Sequence, residues 1–129
     1  MNSDAKPIGT LGLAGGGGKT TLYEAFNLAI DSSDDIIVGN NATEAVDIFK
    51  HGANGNVKPN QVIEGSATGF SDLTSVGVDA KRYIYVTNFG SGGSDVLVFR
   101  PGAKGNVAPA RTFSGAKTTL SDPFYPSFH

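Results

Sequence analysis

The chain has 129 residues and no cysteine, so it is long enough for one domain with a sizeable core and holds neither disulfides nor thiolate metal sites. Its 18 glycines are about twice the usual share, whereas charged residues make up only 17% of the chain. A net charge of −2 gives no electrostatic reason to bind nucleic acid or an anionic membrane, and the apolar runs are too short to span a bilayer.

A long internal repeat organises the sequence. Residues 45–59 read AVDIFKHGANGNVKP, and residues 95–109 read DVLVFRPGAKGNVAP. Residues 26–40 match residues 74–88 with an offset that is two residues shorter, and the extra two fall in a Gly-rich loop at 90–93. A period of about 50 residues is typical of solenoids, propellers or arrays.

Each unit resolves into four short strand-like runs separated by turn sequences such as DSSD, DAKR and GANGN. In chain order we predict the fourth strand of an earlier unit, a first unit, a second unit and the opening of a third, within one domain: 7–14, 15–64, 65–114 and 115–129. The predicted strands are 27–31, 35–40, 45–50 and 61–64 in the first unit, and 75–79, 83–88, 95–100 and 110–114 in the second.

The composition of these runs predicts the fold class. YIYV at 83–86 and VLVF at 96–99 are apolar on both faces, which indicates sheets covered on both sides. Residues 20–30 have a helix-like composition, but their alignment with a strand of the second unit favours a strand. Because four strands per unit and stacked units are the organisation of propeller blades, we predict an all-β fold of two four-stranded antiparallel β-propeller blades.

The sequence YVTN at 85–88, followed by a Gly-rich turn and DVLVF, resembles YVTN-type propeller repeats, which are close to NHL-type repeats and lactonase-like propellers. The first unit departs from this pattern with IVGN at 37–40, and the GNVxP segment makes both units longer than usual in those families. The resemblance implies propellers of six or seven blades, often extracellular or periplasmic, with binding or enzymatic roles. The first residues show no signal peptide.

From Gly15 to Thr20 the chain reads GGGGKT, which is similar to a phosphate-binding loop. The full pattern needs Gly where Leu13 stands. KTTL also recurs at 117–120, where a following Pro123 opposes a helix. A Gly-rich linker is therefore the favoured interpretation, and nucleotide binding is a remote alternative.

Two acidic residues are candidate metal ligands. Asp31 and Asp79 end equivalent inner strands, and carboxylates arranged around an axis can hold Ca²⁺. An Asp in this position more often accepts hydrogen bonds from the turn that follows it, so no cofactor is the first expectation. The histidines, His51 and His129, stand alone and mark no catalytic triad.

Four residues are candidate ligand contacts. Asn40 and Asn88 both follow the second strand of their unit, and a shared polar ring there would form a ligand rim. Tyr23 and Tyr125 lie in loops leading into inner strands, where an aromatic ring could stack on a sugar. A small molecule or a glycan is therefore the ligand class to test.

Two blades leave apolar outer faces uncovered, so we expect self-association, most simply a homotrimer that completes a six-bladed ring. Asp47 in place of Leu97 indicates that the two faces are not equivalent. The favoured function is a non-enzymatic binding or scaffold module whose ligand site forms on assembly. The alternative is a lactonase-like hydrolase with a divalent metal in a central channel.

Overall fold

The structure, a computed structural model, describes residues 6–12, 19–90, 93–121, 123 and 126. The described residues form eight strands: β1 (Ala25–Ile30), β2 (Ile36–Asn40), β3 (Ala45–Phe49), β4 (Gln61–Glu64), β5 (Leu73–Val78), β6 (Ile84–Gly90), β7 (Gly93–Phe99) and β8 (Arg111–Phe113). Their helical content is a single 3-10 turn, Ala116–Thr118. The predictions of an all-β chain and of almost no helix are confirmed, and residues 25–30 form a strand as expected.

The strands form two antiparallel sheets with the same order. Sheet 1 has the order β1-β2-β3-β4 and sheet 2 the order β5-β6-β7-β8. The first pairing in each sheet carries the same irregularity, between Ala25 and Asn27 in sheet 1 and between Leu73 and Ser75 in sheet 2. Because a bulge adds a residue without ending the strand, β1 and β5 begin two residues before the predicted starts.

The Gly-rich loop lengthens one hairpin of sheet 2. In sheet 1 the β2–β3 hairpin ends at the pair Asn40 and Ala45. In sheet 2 the β6–β7 hairpin continues past Asn88 by two further pairs, the last being Gly90 with Gly93. The two extra residues of the second unit therefore extend a hairpin and leave the rest of the register unchanged.

The core lies between the facing sides of the two sheets. Its buried side chains are Ile37, Val46, Ile48 and Ile63 from sheet 1, and Leu73, Val76, Ile84, Val86, Leu97 and Phe99 from sheet 2. Gly39 is a point of close approach, because a Cβ atom there would lie 2.7 Å from Leu73 Cδ2 and 3.0 Å from Val76 Cγ1. The absence of a side chain at this position lets the sheets pack this closely.

Segments outside the sheets repeat the same contacts. Ile63 of β4 forms an isolated parallel bridge with Gly105, and Leu11 forms one with Gly55. Residues 7–12 therefore lie beside sheet 1 as β4 lies beside sheet 2, whereas residues 13 and 14 of the predicted segment lie outside the described residues.

We call the stretches before β1 and β5 the lead-in segments, residues 19–24 and 67–72. In the described part of the chain no helix has the length and apolar character needed to cross a membrane.

Candidate functional site

The predicted rim asparagines hold the lead-in segments. Asn88 donates from Nδ2 to the Gly69 carbonyl at 2.7 Å and accepts at Oδ1 from the Ser71 N–H at 3.3 Å. Asn40 forms a similar pair of hydrogen bonds: its Nδ2 atom donates to the Thr21 carbonyl, and its Oδ1 atom accepts from the Glu24 backbone N–H. Both side chains are buried, so these amides shape the loops at the edge of the sheets and do not face solvent.

An exposed apolar strip lies along the β1 edge of sheet 1. Tyr23 in the lead-in segment is 68% exposed, and Phe26, Leu28 and Ile30 of β1 each leave half or more of their surface exposed. Tyr23 is therefore an accessible aromatic ring at this edge. The other aromatic candidate, Tyr125, lies outside the described residues.

Asp31 and Asp79 occupy matching turns. The Oδ1 atom of each accepts hydrogen bonds from the backbone N–H groups two and four residues later, at 2.8 to 3.0 Å. The second oxygen of Asp31 accepts from Arg82 Nε at 2.7 Å, and that of Asp79 accepts from the Tyr85 hydroxyl at 3.2 Å. Among the described residues no three acidic or histidine side chains are grouped closely enough to hold a metal ion. The Ca²⁺ site stays a prediction.

An ion-pair network joins the two sheets. Arg82, from the β5–β6 turn, reaches across to Asp31 and also approaches Asp35 of sheet 1 with its guanidinium at 3.4 Å. Lys50 Nζ lies 2.8 Å from the same Asp35 carboxylate. The hydrogen bond from Lys50 is the main reason that the pKa of Asp35 lies below its ordinary value, aided by the His51 N–H and by the charges of Lys50 and Arg82, and opposed by burial. The network therefore stabilises the charged form of a buried carboxyl.

A small cleft lies beside this network, between the sheets. Its lining includes Asp31 and Gln61 from sheet 1 and Val78 and Arg82 from sheet 2, and its volume is about 20 Å³. That is the space of roughly one water molecule, so the cleft is too small for a sugar or a metabolite.

Asp47 is a fully buried carboxylate in the middle of β3. Its Oδ2 atom accepts from the Thr21 hydroxyl at 2.9 Å and from Asn40 Nδ2 at 3.2 Å, whereas its Oδ1 atom has no hydrogen-bond partner among the described residues. Burial is the main reason that the pKa of Asp47 is raised, and the nearby charge of Glu64 raises it further, against the two hydrogen bonds. The side chain thus fastens the lead-in segment of sheet 1 with a polar contact.

The nucleotide-binding hypothesis concerns a stretch of which only the end is described, since residues 13–18 lie outside the described residues. Lys19 is exposed, and the backbone N–H groups of Lys19 and Thr20 donate to Asn56 Oδ1 at 2.6 and 3.0 Å. Ala67 donates in the same way to Asn106 at 2.7 Å. Strand β1 follows in place of the helix that a phosphate-binding loop precedes.

Each sheet has a second surface, which we call its far face, on the side turned away from the other sheet. Far face 1 carries Leu28, Ile30, Ile36, Val38, Asp47 and Phe49. Far face 2 carries Tyr85, Thr87, Val96, Val98, Arg111 and Phe113. The Arg111 guanidinium lies 5.6 Å from the centre of the Tyr83 ring, and Phe113 is 46% exposed. The exposed parts of the far faces are Leu28 and Ile30 on far face 1 and Arg111 and Phe113 on far face 2, because other members are already buried within the single chain: Val38, Asp47, Phe49, Thr87 and Val98.

The cross-sheet ion pairs are not evident from the sequence. The signal available was that Arg82 stands where Asp34 stands in the matching turn, DAKR against DSSD. That difference changes the charge of one turn, but only the structure places the Arg82 side chain against carboxylates of the other sheet.

No protein-family model matches the chain, and a search of curated proteins finds none that matches it. The resemblance to YVTN-type repeats therefore stays a prediction. The geometry of the two sheets and their far faces is the basis for a functional proposal.

Proposed function

We propose that the chain is a non-enzymatic binding or scaffold module that self-associates into a closed β-propeller and forms its ligand site on assembly. The observation that supports this is the exposure of apolar side chains on both far faces, Leu28 and Ile30 on far face 1 and Phe113 on far face 2. Leu28 and Ile30 are 60% and 50% exposed, while their counterparts in sheet 2, Val76 and Val78, pack against sheet 1. Exposed apolar patches larger than a few hundred Å² are uncommon on soluble monomers.

The proposed assembly is a homotrimer. Propellers have about 4–8 blades, so a chain that supplies two would close as a dimer, a trimer or a tetramer. Six blades agree with the YVTN-type resemblance. A head-to-tail contact repeated by the same rotation closes into a ring when that rotation divides the full turn.

The proposed ligand is a small molecule or a glycan bound at the rim where the lead-in segments of several copies come together. Tyr23 would supply the stacking surface, because a tyrosine presents an apolar ring face and a polar tip. Asn40 and Asn88 would act indirectly by holding the loops that carry such contacts.

The hydrolase alternative keeps Asp31 and Asp79 as candidate ligands for a divalent ion. Their carboxylate oxygens already accept hydrogen bonds from the turn and from Arg82 or Tyr85. A bound ion would have to replace some of these contacts, so no observation on the described residues favours this alternative. The hydrolase alternative is therefore kept only as one possible outcome of the calcium experiment that follows.

Light scattering on a sizing column tests the assembly. We expect a mass of three times 13.3 kDa at micromolar concentration, and a stable 13.3 kDa monomer would contradict the proposal. A glycan panel then tests binding, with Tyr23→Ala expected to lose it and Phe89→Ala, another exposed aromatic, as the matched control. A rise in melting temperature with CaCl2 that disappears in Asp31→Asn would favour the hydrolase.

A further inference from the structure

We infer that far face 2 binds far face 1 of a second copy in the geometry that sheets 1 and 2 already use within one chain, with Arg111 of one copy facing Asp34 of the next. This inference rests on the proposed self-association and specifies its interface. Three independent features of the chain support it: the strand register, the side-chain volumes and the charges.

The register makes the two far faces equivalent to the two halves of the internal interface. Ile37 pairs with Ile48 and Ile48 with Gln61 on the side of sheet 1 that meets sheet 2. The matching row in sheet 2 is Tyr85, Val98 and Arg111, and it lies on far face 2. Conversely, the row Leu28, Val38 and Asp47 on far face 1 matches the row Val76, Val86 and Leu97, which packs against sheet 1. Each chain thus carries both halves of a second interface.

At the closest point of the internal interface, sheet 1 carries the smaller residue and sheet 2 the larger one. At the proposed interface between copies the same two positions also differ in size. Inside the chain, Gly39 makes room for Leu73, whose Cδ2 atom would be 2.7 Å from an added Cβ. The equivalent of Gly39 on far face 2 is Thr87, which is larger. The equivalent of Leu73 at the start of β1 is Ala25, which is smaller. Thr87 is buried in the single chain, beside Thr74, whose hydroxyl donates to the Pro123 carbonyl. Ala25 of a second copy would therefore have to displace Pro123 to reach Thr87, and the smaller residue would then face the larger one, as close packing requires.

The charges are exchanged in the same way. Inside the chain the cation is Arg82 of sheet 2, and it meets carboxylates of sheet 1. The equivalent of Arg82 in sheet 1 is Asp34, an exposed residue with a similar positive φ, 60° against 66°. Arg111 supplies a cation on far face 2, where sheet 1 has the neutral Gln61.

The aromatic side chains of Tyr83, Tyr85 and Phe113 surround Arg111, and the centre of the Phe113 ring lies 6.0 Å from the guanidinium. Its guanidinium lies over the Tyr83 ring and 3.4 Å from the Tyr85 hydroxyl, and that hydroxyl also contacts Asp79. Asp79 is the acid that Asp34 of a second copy would approach in this geometry. Arg111 therefore separates two carboxylates that would otherwise repel each other, which makes it a selective element of the contact.

Association between copies would also replace one segment of the second copy with the equivalent segment of the first. In the internal interface Ile63 of β4 bridges Gly105. At the contact between copies, β8 would reach Gly55 of the second copy, where Leu11 now forms the equivalent bridge. One segment displaces the other, and a bridge of the same kind re-forms. Association therefore carries the cost of releasing Leu11 from Gly55 and Pro123 from Thr74.

Charge reversal tests the contact. The variants are Arg111→Asp, Asp34→Arg and the double variant, with Lys58→Asp as an exposed control that makes the same change in charge as Arg111→Asp. We expect each single variant to associate roughly tenfold or more weakly by analytical ultracentrifugation, because like charges then face each other, and the double variant to recover. An equimolar mixture of the two single variants should recover in part, because two of the three contacts in a mixed trimer again join opposite charges.

Ala25→Leu provides a second variant that does not depend on charge. It adds volume at an exposed position, so the fold should be kept while association with Thr87 of the neighbouring copy is lost. Circular dichroism of each variant checks folding. If wild type associates and all of these variants associate equally well, the interface is wrong and the proposed self-association stands. If wild type is a monomer, both are wrong.

Discussion

Asp47 stands in sheet 1 where Leu97 stands in sheet 2, and its carboxylate is held by the Thr21 hydroxyl. Leu97 contributes to the core between the sheets, whereas Asp47 lies on far face 1 with one oxygen that has no hydrogen-bond partner in the described part of the chain. A buried carboxylate that lacks a partner on one oxygen loses hydration without full compensation. The polar contact therefore positions a lead-in segment at a cost in stability.

We expect Asp47→Asn to stabilise the fold at neutral pH by about 1 kcal/mol, because the amide oxygen can still accept from Thr21 while the buried charge is removed. Urea denaturation of both proteins at pH 7 measures this. Glu24→Gln, a change at an exposed acid, is the control and should have little effect. A less stable Asp47→Asn variant at pH 7 would contradict this account.

The same substitution should flatten the dependence of stability on pH. Because the pKa of Asp47 is raised in the fold above its ordinary 3.8, the folded state binds a proton more readily than the unfolded chain. Its favourable contribution is complete below the ordinary pKa and is lost as the pH rises through the raised value. Denaturation midpoints across this range should fall in wild type more than in Asp47→Asn. Parallel curves would show that Asp47 does not titrate with folding.

Arg82→Ala should destabilise the chain more than Lys50→Ala, by about 2 kcal/mol against about 1 kcal/mol. Arg82 approaches two buried carboxylates across the sheets and is 41% exposed, whereas Lys50 contacts one and is 58% exposed. Because the pKa of Asp35 is lowered in the fold, its ionised carboxylate stabilises the folded chain at pH values above its ordinary pKa. This stabilisation is lost as the pH falls through the lowered pKa. Equal losses at pH 7 in urea titrations would refute the ranking.

Gly39→Ala should cost about 1–2 kcal/mol, because the new methyl group meets Leu73 and Val76 at less than normal contact distance. In a Leu73→Ala background the same change should cost less, since the space has been vacated. A double-mutant cycle by urea denaturation measures this coupling. Strict additivity would mean that Gly39 and Leu73 do not share the space.

Lys19→Ala should change stability by no more than about 0.5 kcal/mol, because the side chain is exposed. Asn56→Ala should cost more, about 1 kcal/mol, since its Oδ1 atom accepts two backbone N–H groups of the lead-in segment. ATP or GTP binding measured by calorimetry should be undetectable in wild type. Binding that vanishes in Lys19→Ala would restore the phosphate-loop hypothesis.

Much of the fold was predictable because strand period and turn residues are local signals. The β4 strand, Gln61–Glu64, begins and ends where the sequence predicts. The bulges at Ala25 and Leu73 were not predictable, because the register of a strand depends on its neighbour as well as on its own residues.

The candidate site was less accessible to sequence reasoning. The repeat places Asn40 and Asn88 at the same point of each unit, but it does not show which segment covers them. Likewise, Arg82 contacts Asp31 at a separation of 51 residues, a contact that no local pattern encodes. Pairings of this kind depend on how the two sheets stack.

The hydrogen bonds around β4 have a consequence for how the chain unfolds. Val62 and Glu64 are bonded through their backbones to Gly105, and Ala67, just beyond, donates to Asn106. A linker between two separate domains is ordinarily flexible, and few contacts cross it. Here the connecting stretch is bonded to the far end of the second unit, so neither sheet can open without disturbing the other. The 50-residue repeat is thus a unit of sequence, while we expect the cooperative unit of unfolding to contain both sheets.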